Sequence, residues 1–207
     1  MKKIALVLIL CVVTLCGCST IKDNSTPMEK IQKRLSEMES YTCDATMKRI
    51  SNKGENTYDI KQYYKSSGEY RLEIVAPENL KGNYTVFDGE KICQYNSRID
   101  GKIIVDVPES QQRNELFLGS FIKNYMKSED VSVAVDKMEG GKTTVLEAVI
   151  PGDNKYLATE KLWVSNDTLD PVQLIIYDKD GKERFIVNYN NFEYNVEIGA
   201  DMFKVLQ

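Results

Sequence analysis

From Thr42 onward, apolar residues recur at every second position, a period that dictates strands because successive strand side chains point to opposite faces. Cys43, Ala45 and Met47 alternate with Asp44, Thr46 and Lys48. Tyr58, Ile60, Gln62 and Tyr64 repeat the pattern, as do Tyr70, Leu72, Ile74 and Ala76, and then Tyr84 with Val86. Further runs lie at Ile92, Ile103–Val107, Val131–Val135, Thr144–Ile150, Tyr156–Val164, Val172–Tyr177 and Arg184–Tyr189, with a short tail at Phe203 and Val205. Asp88-Gly89, Asp100-Gly101, Gly140-Gly141 and Asp180-Gly181 predict tight hairpin turns between them. Loops that short cannot carry a parallel crossover, so the strands run antiparallel.

Two segments follow the helical period instead. Thr26 reads as an N-cap, with Pro27 at N1 and Glu29 at N3. Met28, Ile31, Leu35 and Met38 then form an apolar stripe, predicting a helix that ends near Tyr41. Arg113 to Lys127 carries Leu116, Phe117, Phe121, Ile122 and Tyr125, a second helix with a broad apolar face. The expected class is mainly β with two helices (α+β), a strongly curved sheet of about ten strands with the helices in its concave face. No internal repeat or low-complexity tract divides residues 26–207, which read as one domain.

The N-terminus carries a different signal. Lys2 and Lys3 precede an apolar run from Ile4 to Val13, and small residues then lead to a cysteine, the layout of a cleaved secretory signal. The run is too short to cross a bilayer core of about 30 Å as a helix. Leu15-Cys16-Gly17-Cys18 resembles the bacterial lipobox. That resemblance implies a signal peptide over residues 1–17, cleavage after Gly17, a diacylated Cys18 as first mature residue, and a lipidated tether over 18–25. The alternative is an ordinary signal with a chance cysteine.

Composition narrows the function. The formal charge of −4 becomes −6 once Lys2 and Lys3 leave with the signal, a poor match for nucleic acid or for electrostatic docking on anionic lipid. The acyl chains would do the anchoring, and two chains hold stably where one does not. Histidine is absent, which removes the commonest general base, the usual zinc ligand and every Ser-His or Cys-His nucleophile pair. No cofactor or metal site is expected, and an unusual carboxylate hydrolase ranks far below a binding role. Of five cysteines, Cys43 and Cys93 stay in the mature domain. Two buried free thiols are favoured over a disulfide, which an extracytoplasmic site would permit.

Other candidate groups read as structure. Asp178-Lys179-Asp180-Gly181 lacks the acids of a calcium loop, with Ile176 and Ile186 at the needed positions, and reads as a hairpin turn. Glu37 with Glu39, and Glu129 with Asp130, read as solvated pairs, since paired acids matter when buried together. Trp163 reads as a core or barrel-lining residue in preference to a ligand-stacking one. Tyr63, Tyr64, Tyr70, Tyr84 and Tyr95 are expected on one sheet face, where half-polar rings suit a protein-binding surface or a cavity wall.

The C-terminal third carries a family resemblance. Lys161-Leu162-Trp163-Val164, Asp170-Pro171-Val172-Gln173-Leu174 and Tyr177-Asp178-Lys179-Asp180-Gly181-Lys182 resemble the LolA-like lipoprotein-sorting superfamily. Asn191-Phe192, Asn195-Val196, Ile198 and Phe203 look like its closing strand and tail, and Tyr70–Ala76 with Tyr84–Gly89 is similar in layout. The resemblance implies an unclosed half-barrel of roughly eleven antiparallel strands with helices plugging the open face. Within that group the chain looks most like the GerS-type germination lipoproteins of clostridial spore formers. That likeness implies a non-catalytic lipoprotein on the extracytoplasmic face of a membrane, such as the forespore envelope. It would bind and activate a cortex N-acetylmuramoyl-L-alanine amidase needed for germination. The alternative is a carrier of lipid or lipidated protein in the half-barrel cavity.

Overall fold

The computed structural model describes residues 25–107, 114–128, 132–138 and 141–205. Eleven strands make one unclosed sheet: β1 (Ser40–Ser51), β2 (Gly54–Lys65), β3 (Tyr70–Ala76), β4 (Tyr84–Phe87), β5 (Lys91–Asn96), β6 (Gly101–Asp106), β7 (Ser132–Met138), β8 (Gly141–Val149), β9 (Thr159–Ser165), β10 (Pro171–Tyr177) and β11 (Glu183–Tyr194). Their order is β6-β5-β4-β3-β2-β1-β11-β10-β9-β8-β7, and every neighbouring pair is antiparallel. Two meanders therefore meet at the β1–β11 seam, leaving β6 and β7 as free edges. This is the LolA-like architecture that the sequence resemblance implies.

Between those edges the chain crosses the inner face as α2 (Leu118–Lys127), beside α1 (Pro27–Ser36). α1 begins as expected: the Thr26 hydroxyl accepts from the Glu29 amide at 3.3 Å, and the Glu29 carboxylate accepts from the Thr26 amide at 2.6 Å. It ends earlier than its stripe suggests, because Ser40 and Tyr41 are claimed by β2, opposite Lys65 and Tyr64. Asn195 fixes that corner, accepting from the Glu39 amide at 2.8 Å and donating to the Glu37 carbonyl at 3.2 Å. α2 likewise starts at Leu118 rather than near Arg113, which lies outside the described residues.

Several strand limits also shift. Strand β9 starts at Thr159, since Tyr156 belongs to the turn before it. The Asp88-Gly89 connection spans three residues, its Asp88 carboxylate accepting from the Glu90 and Lys91 amides at 3.0 and 2.8 Å. Asp100-Gly101 closes a four-residue connection, in which Asp100 takes a positive φ of 45°. Val131 and Gly140 lie outside the described residues.

The main core fills the space between helices and sheet. Ile31 and Leu35 of α1 and Leu118 and Phe121 of α2 pack with Tyr41, Ile60, Leu146, Leu162, Leu174 and Val187 from the strands. Each fully buried large side chain there contributes about 1.5–3 kcal/mol. A second, smaller core lies on the opposite face, where Ile198 and Phe203 of the tail cover Val86 and Cys93. The 3-10 turn Ala200–Phe203 is thus a cover for β3–β5.

Gly119 sets how closely α2 lies on the sheet. A Cβ there would overlap Cζ and Oη of Tyr64, whose ring is itself buried. Overpacking of this kind costs about 1–3 kcal/mol. Gly119→Ala is accordingly expected to lower stability by that amount in urea denaturation, and an unchanged midpoint would show that α2 is not held this closely.

Candidate functional site

The helix-covered face is built around a knot of polar groups in an apolar setting. Gln62 and Tyr41 are fully buried on neighbouring strands. The Tyr41 hydroxyl donates to Gln62 Oε1 at 2.9 Å, and Gln62 Nε2 donates to the Leu116 carbonyl at 3.0 Å. The Leu118 amide then donates back to Tyr41 Oη at 3.1 Å. α2 has no side-chain cap of its own at Phe117, so the sheet supplies the acceptor that its first turn lacks. Burial, with the neighbouring Tyr189 and Cys43 adding to it, holds the Tyr41 hydroxyl well above its ordinary pKa, so it stays protonated and donating.

Farther along α2, Asn124 Nδ2 donates to Glu160 Oε1 at 2.8 Å. Glu160 is fully buried, its Oε2 has no hydrogen-bond partner, and Tyr189 Oη is likewise buried without one. Burial pushes the Glu160 carboxyl up to about 7, the Asn124 bond opposes the shift, and Glu115 adds to it. The acid alternates in phase with Leu162 and Val164 along β9, so its place on the covered face is written in the strand pattern. Sequence reasoning that looked for acids in neighbouring pairs passes over it.

The other sequence candidates disperse. Cys18, the proposed lipidation site, lies outside the described residues, as do Glu129 and Asp130. Cys43 and Cys93 are both buried and free, and register places them on opposite faces of the sheet, four strands apart. Burial raises the Cys43 thiol far above the ordinary range, which keeps it protonated and unreactive. The tyrosines do not share a face: Tyr64 and Tyr70 belong to the main core, whereas Tyr63 and Tyr84 pack on the second, with Tyr95 stacked on Tyr84 at 4.9 Å. Alternation decides this, since Tyr63 and Tyr64 are adjacent.

Trp163 is half-buried on the face away from the helices, and its indole donates to Asp136 at 3.2 Å, so it is not a core residue. Asp178 does form a turn, accepting from the Asp180 and Lys182 amides at 2.9 Å each and from Arg184 Nε at 2.8 Å. Those donors, the Lys182 amide foremost, hold its carboxyl below the usual range. Glu37 and Glu39 are exposed.

What remains open is the surface. Ile103 and Val105 on edge β6 and Val133 and Val135 on edge β7 are exposed β-branched residues beside backbone that has no strand partner among the described residues, as an association surface requires. A recess of about 660 Å³ opens beside the helices, where Leu35, Met38 and Ile122 are interrupted by Ser36, Ser66, Ser67, Ser120 and Lys123. Among the described residues no helix is long and apolar enough to cross a membrane.

Glu160 makes stability depend on pH. Its folded pKa, near 7, lies above the ordinary carboxyl value, so the unfolded chain ionises first and stability is lost as pH rises from about 4.5 to 7. The neutral isostere escapes this loss. Glu160→Gln is expected to match the wild type near pH 4 and to exceed it by roughly 2–3 kcal/mol at pH 8 in denaturant titrations. Equal stability at both pH values would contradict the burial of an ionisable group here.

The profile of the YdcC-like sporulation protein family matches residues 1–203. The chain is 36% identical to a chain in the structure of the CwlD amidase from Clostridioides difficile in complex with the GerS lipoprotein, covering 84% of this chain and 99% of that one, with a TM-score of 0.51. An uncharacterised conserved protein from Thermus thermophilus shares the fold at 13% identity, with 88% and 96% of the two chains covered and a TM-score of 0.55. A LolA superfamily protein from Nitrosomonas europaea aligns at 13% identity over 87% and 98%, with a TM-score of 0.45. No curated protein matches significantly. With almost its entire length matched by that profile, the chain belongs to the YdcC-like family of sporulation proteins.

Proposed function

We propose that this chain is a non-catalytic lipoprotein that binds a cell-wall amidase of the spore envelope and shifts it toward its active state. The carrying observation is the 36% identity, over 84% of this chain and 99% of the other, to a protein in an amidase–lipoprotein complex, within a sporulation family. Cys18, diacylated on its sulfur and made the first residue by cleavage behind Gly17, would hold the domain on the extracytoplasmic face through the tether 18–25. Activation needs a partner with an inactive and an active form and a preference for the active one. A differential affinity of a few kcal/mol suffices, which an interface of ordinary size supplies.

The covered face supports this reading over a lipid carrier. Phe117, Leu118, Phe121 and Tyr125 fill the groove that an acyl chain would occupy, and the Tyr41–Gln62 knot ties α2 down over it. The recess left open beside the helices is ringed by four serines and a lysine, a wet lining for a hydrocarbon tail.

Spores of a strain lacking this chain are expected to form normally but germinate poorly, with a cortex lacking muramic-δ-lactam. A Cys18→Ala strain is expected to retain the precursor signal and to share part of that defect. Muropeptide analysis reads both, and normal lactam content in the deletion strain would remove the amidase reading.

A further inference from the structure

At the end of the sheet where β1 turns into β2, a half-open recess of about 520 Å³ lies between that hairpin, the loop before β9 and the start of β11. Its size falls within the range of ligand clefts, about 300–1,000 Å³. Ile50, Tyr156, Leu157 and Phe185 supply apolar walls, and the rim is cationic. Arg49 and Lys53 are exposed, and neither side chain has an acidic partner among the described residues.

Arg184, Asn52, Asn154 and Ser51 make up the rest of the polar lining. Arg184 pairs with buried Asp178 at 2.6 Å and reaches Asn52 Oδ1 at 3.4 Å, and its guanidinium lies 5.2 Å from the Tyr156 ring centroid. Lys155 sits 4.7 Å from the same ring. Asn154 Oδ1 accepts from the Tyr156 amide at 3.0 Å, which, as at Asn52, turns the carboxamide oxygen toward the protein and leaves Nδ2 as the donor end. Apolar walls beside Arg49 and Lys53, the two rim cations without an acidic partner among the described residues, match an occupant that brings carboxylates and an apolar tip. The setting sharpens this demand, because the chain as a whole is acidic and repels an acidic partner everywhere that the local charge does not reverse.

We infer that this recess docks an acidic peptide segment of the partner protein, with an aliphatic or aromatic side chain seated among Ile50, Tyr156, Leu157 and Phe185. Its carboxylates meet Arg49 and Lys53, and its main-chain carbonyls meet the Asn52 and Asn154 amides. The inference rests on the proposed partner-binding function. It assigns the register-setting contact of the complex to this end of the sheet.

The test uses the full mature lipoprotein in detergent and the purified amidase, with affinity measured by calorimetry at 50 and 300 mM salt. Arg49→Glu/Lys53→Glu is expected to weaken binding by about ten-fold or more at low salt and to flatten the salt dependence. Lys137→Glu/Lys142→Glu, an equal charge change on the β7–β8 hairpin, is expected to leave both unchanged. Both positions of the first variant are exposed, so an unaltered thermal melt verifies its fold. Equal weakening by the two variants, or none by the first, would overturn the inference while leaving the partner-binding function standing. Absence of any complex with the wild-type chain would overturn that function, and the inference with it.

Discussion

The pairing of β1 with β11 is the interaction on which the rest of the structure depends. β1 lies between β2 and β11, so the first meander joins the last strands of the chain along a single seam. The seam brings together residues about 150 apart in sequence, Tyr41 with Tyr194 and Thr42 with Glu193 among them. Contacts that distant carry a high loop-closure cost, which neighbouring hairpins do not share. They are held by more than the ladder: Asn191 donates to Asp44 at 2.9 Å beside the register shift, and Asn195 ties the α1–β1 corner. Tyr41, which anchors α2, projects from this same strand.

Much of that architecture was legible. The alternation Cys43-Ala45-Met47 and Ile60-Gln62-Tyr64 names the buried faces of β1 and β2, and Thr26-Pro27-Met28-Glu29 gives the capped start of α1. Helix ends were less so, because the end of α1 is decided by the strands that claim Ser40 and Tyr41, a non-local competition that a local period cannot register. Tyrosine placement failed for a related reason. Tyr63 and Tyr64 differ in face by one step of register, and only pairing with Arg71 and Tyr70 shows which one enters the main core.

The polar groups under α2 were the least visible. Gln62 and Glu160 each sit in phase with buried apolar neighbours, and a polar residue in that phase is information about the covering element rather than the strand. Gln62 has its partners in Tyr41 and the Leu116 carbonyl ahead of α2, and is satisfied. Glu160 is only half satisfied, which makes it costly to keep ionised and ties the stability of the covered face to pH.

Phe117, Leu118, Phe121 and Tyr125 fill the face under α2, and the activation of an amidase is the central proposal for the surfaces outside it. The most direct measurement combines a purified spore-envelope amidase with this chain and follows stem-peptide release from isolated cortex glycan. The account predicts negligible release by this chain alone, and release by the amidase that rises and then saturates as the chain is added. Amidase turnover unaffected by the chain at saturating concentration would contradict it.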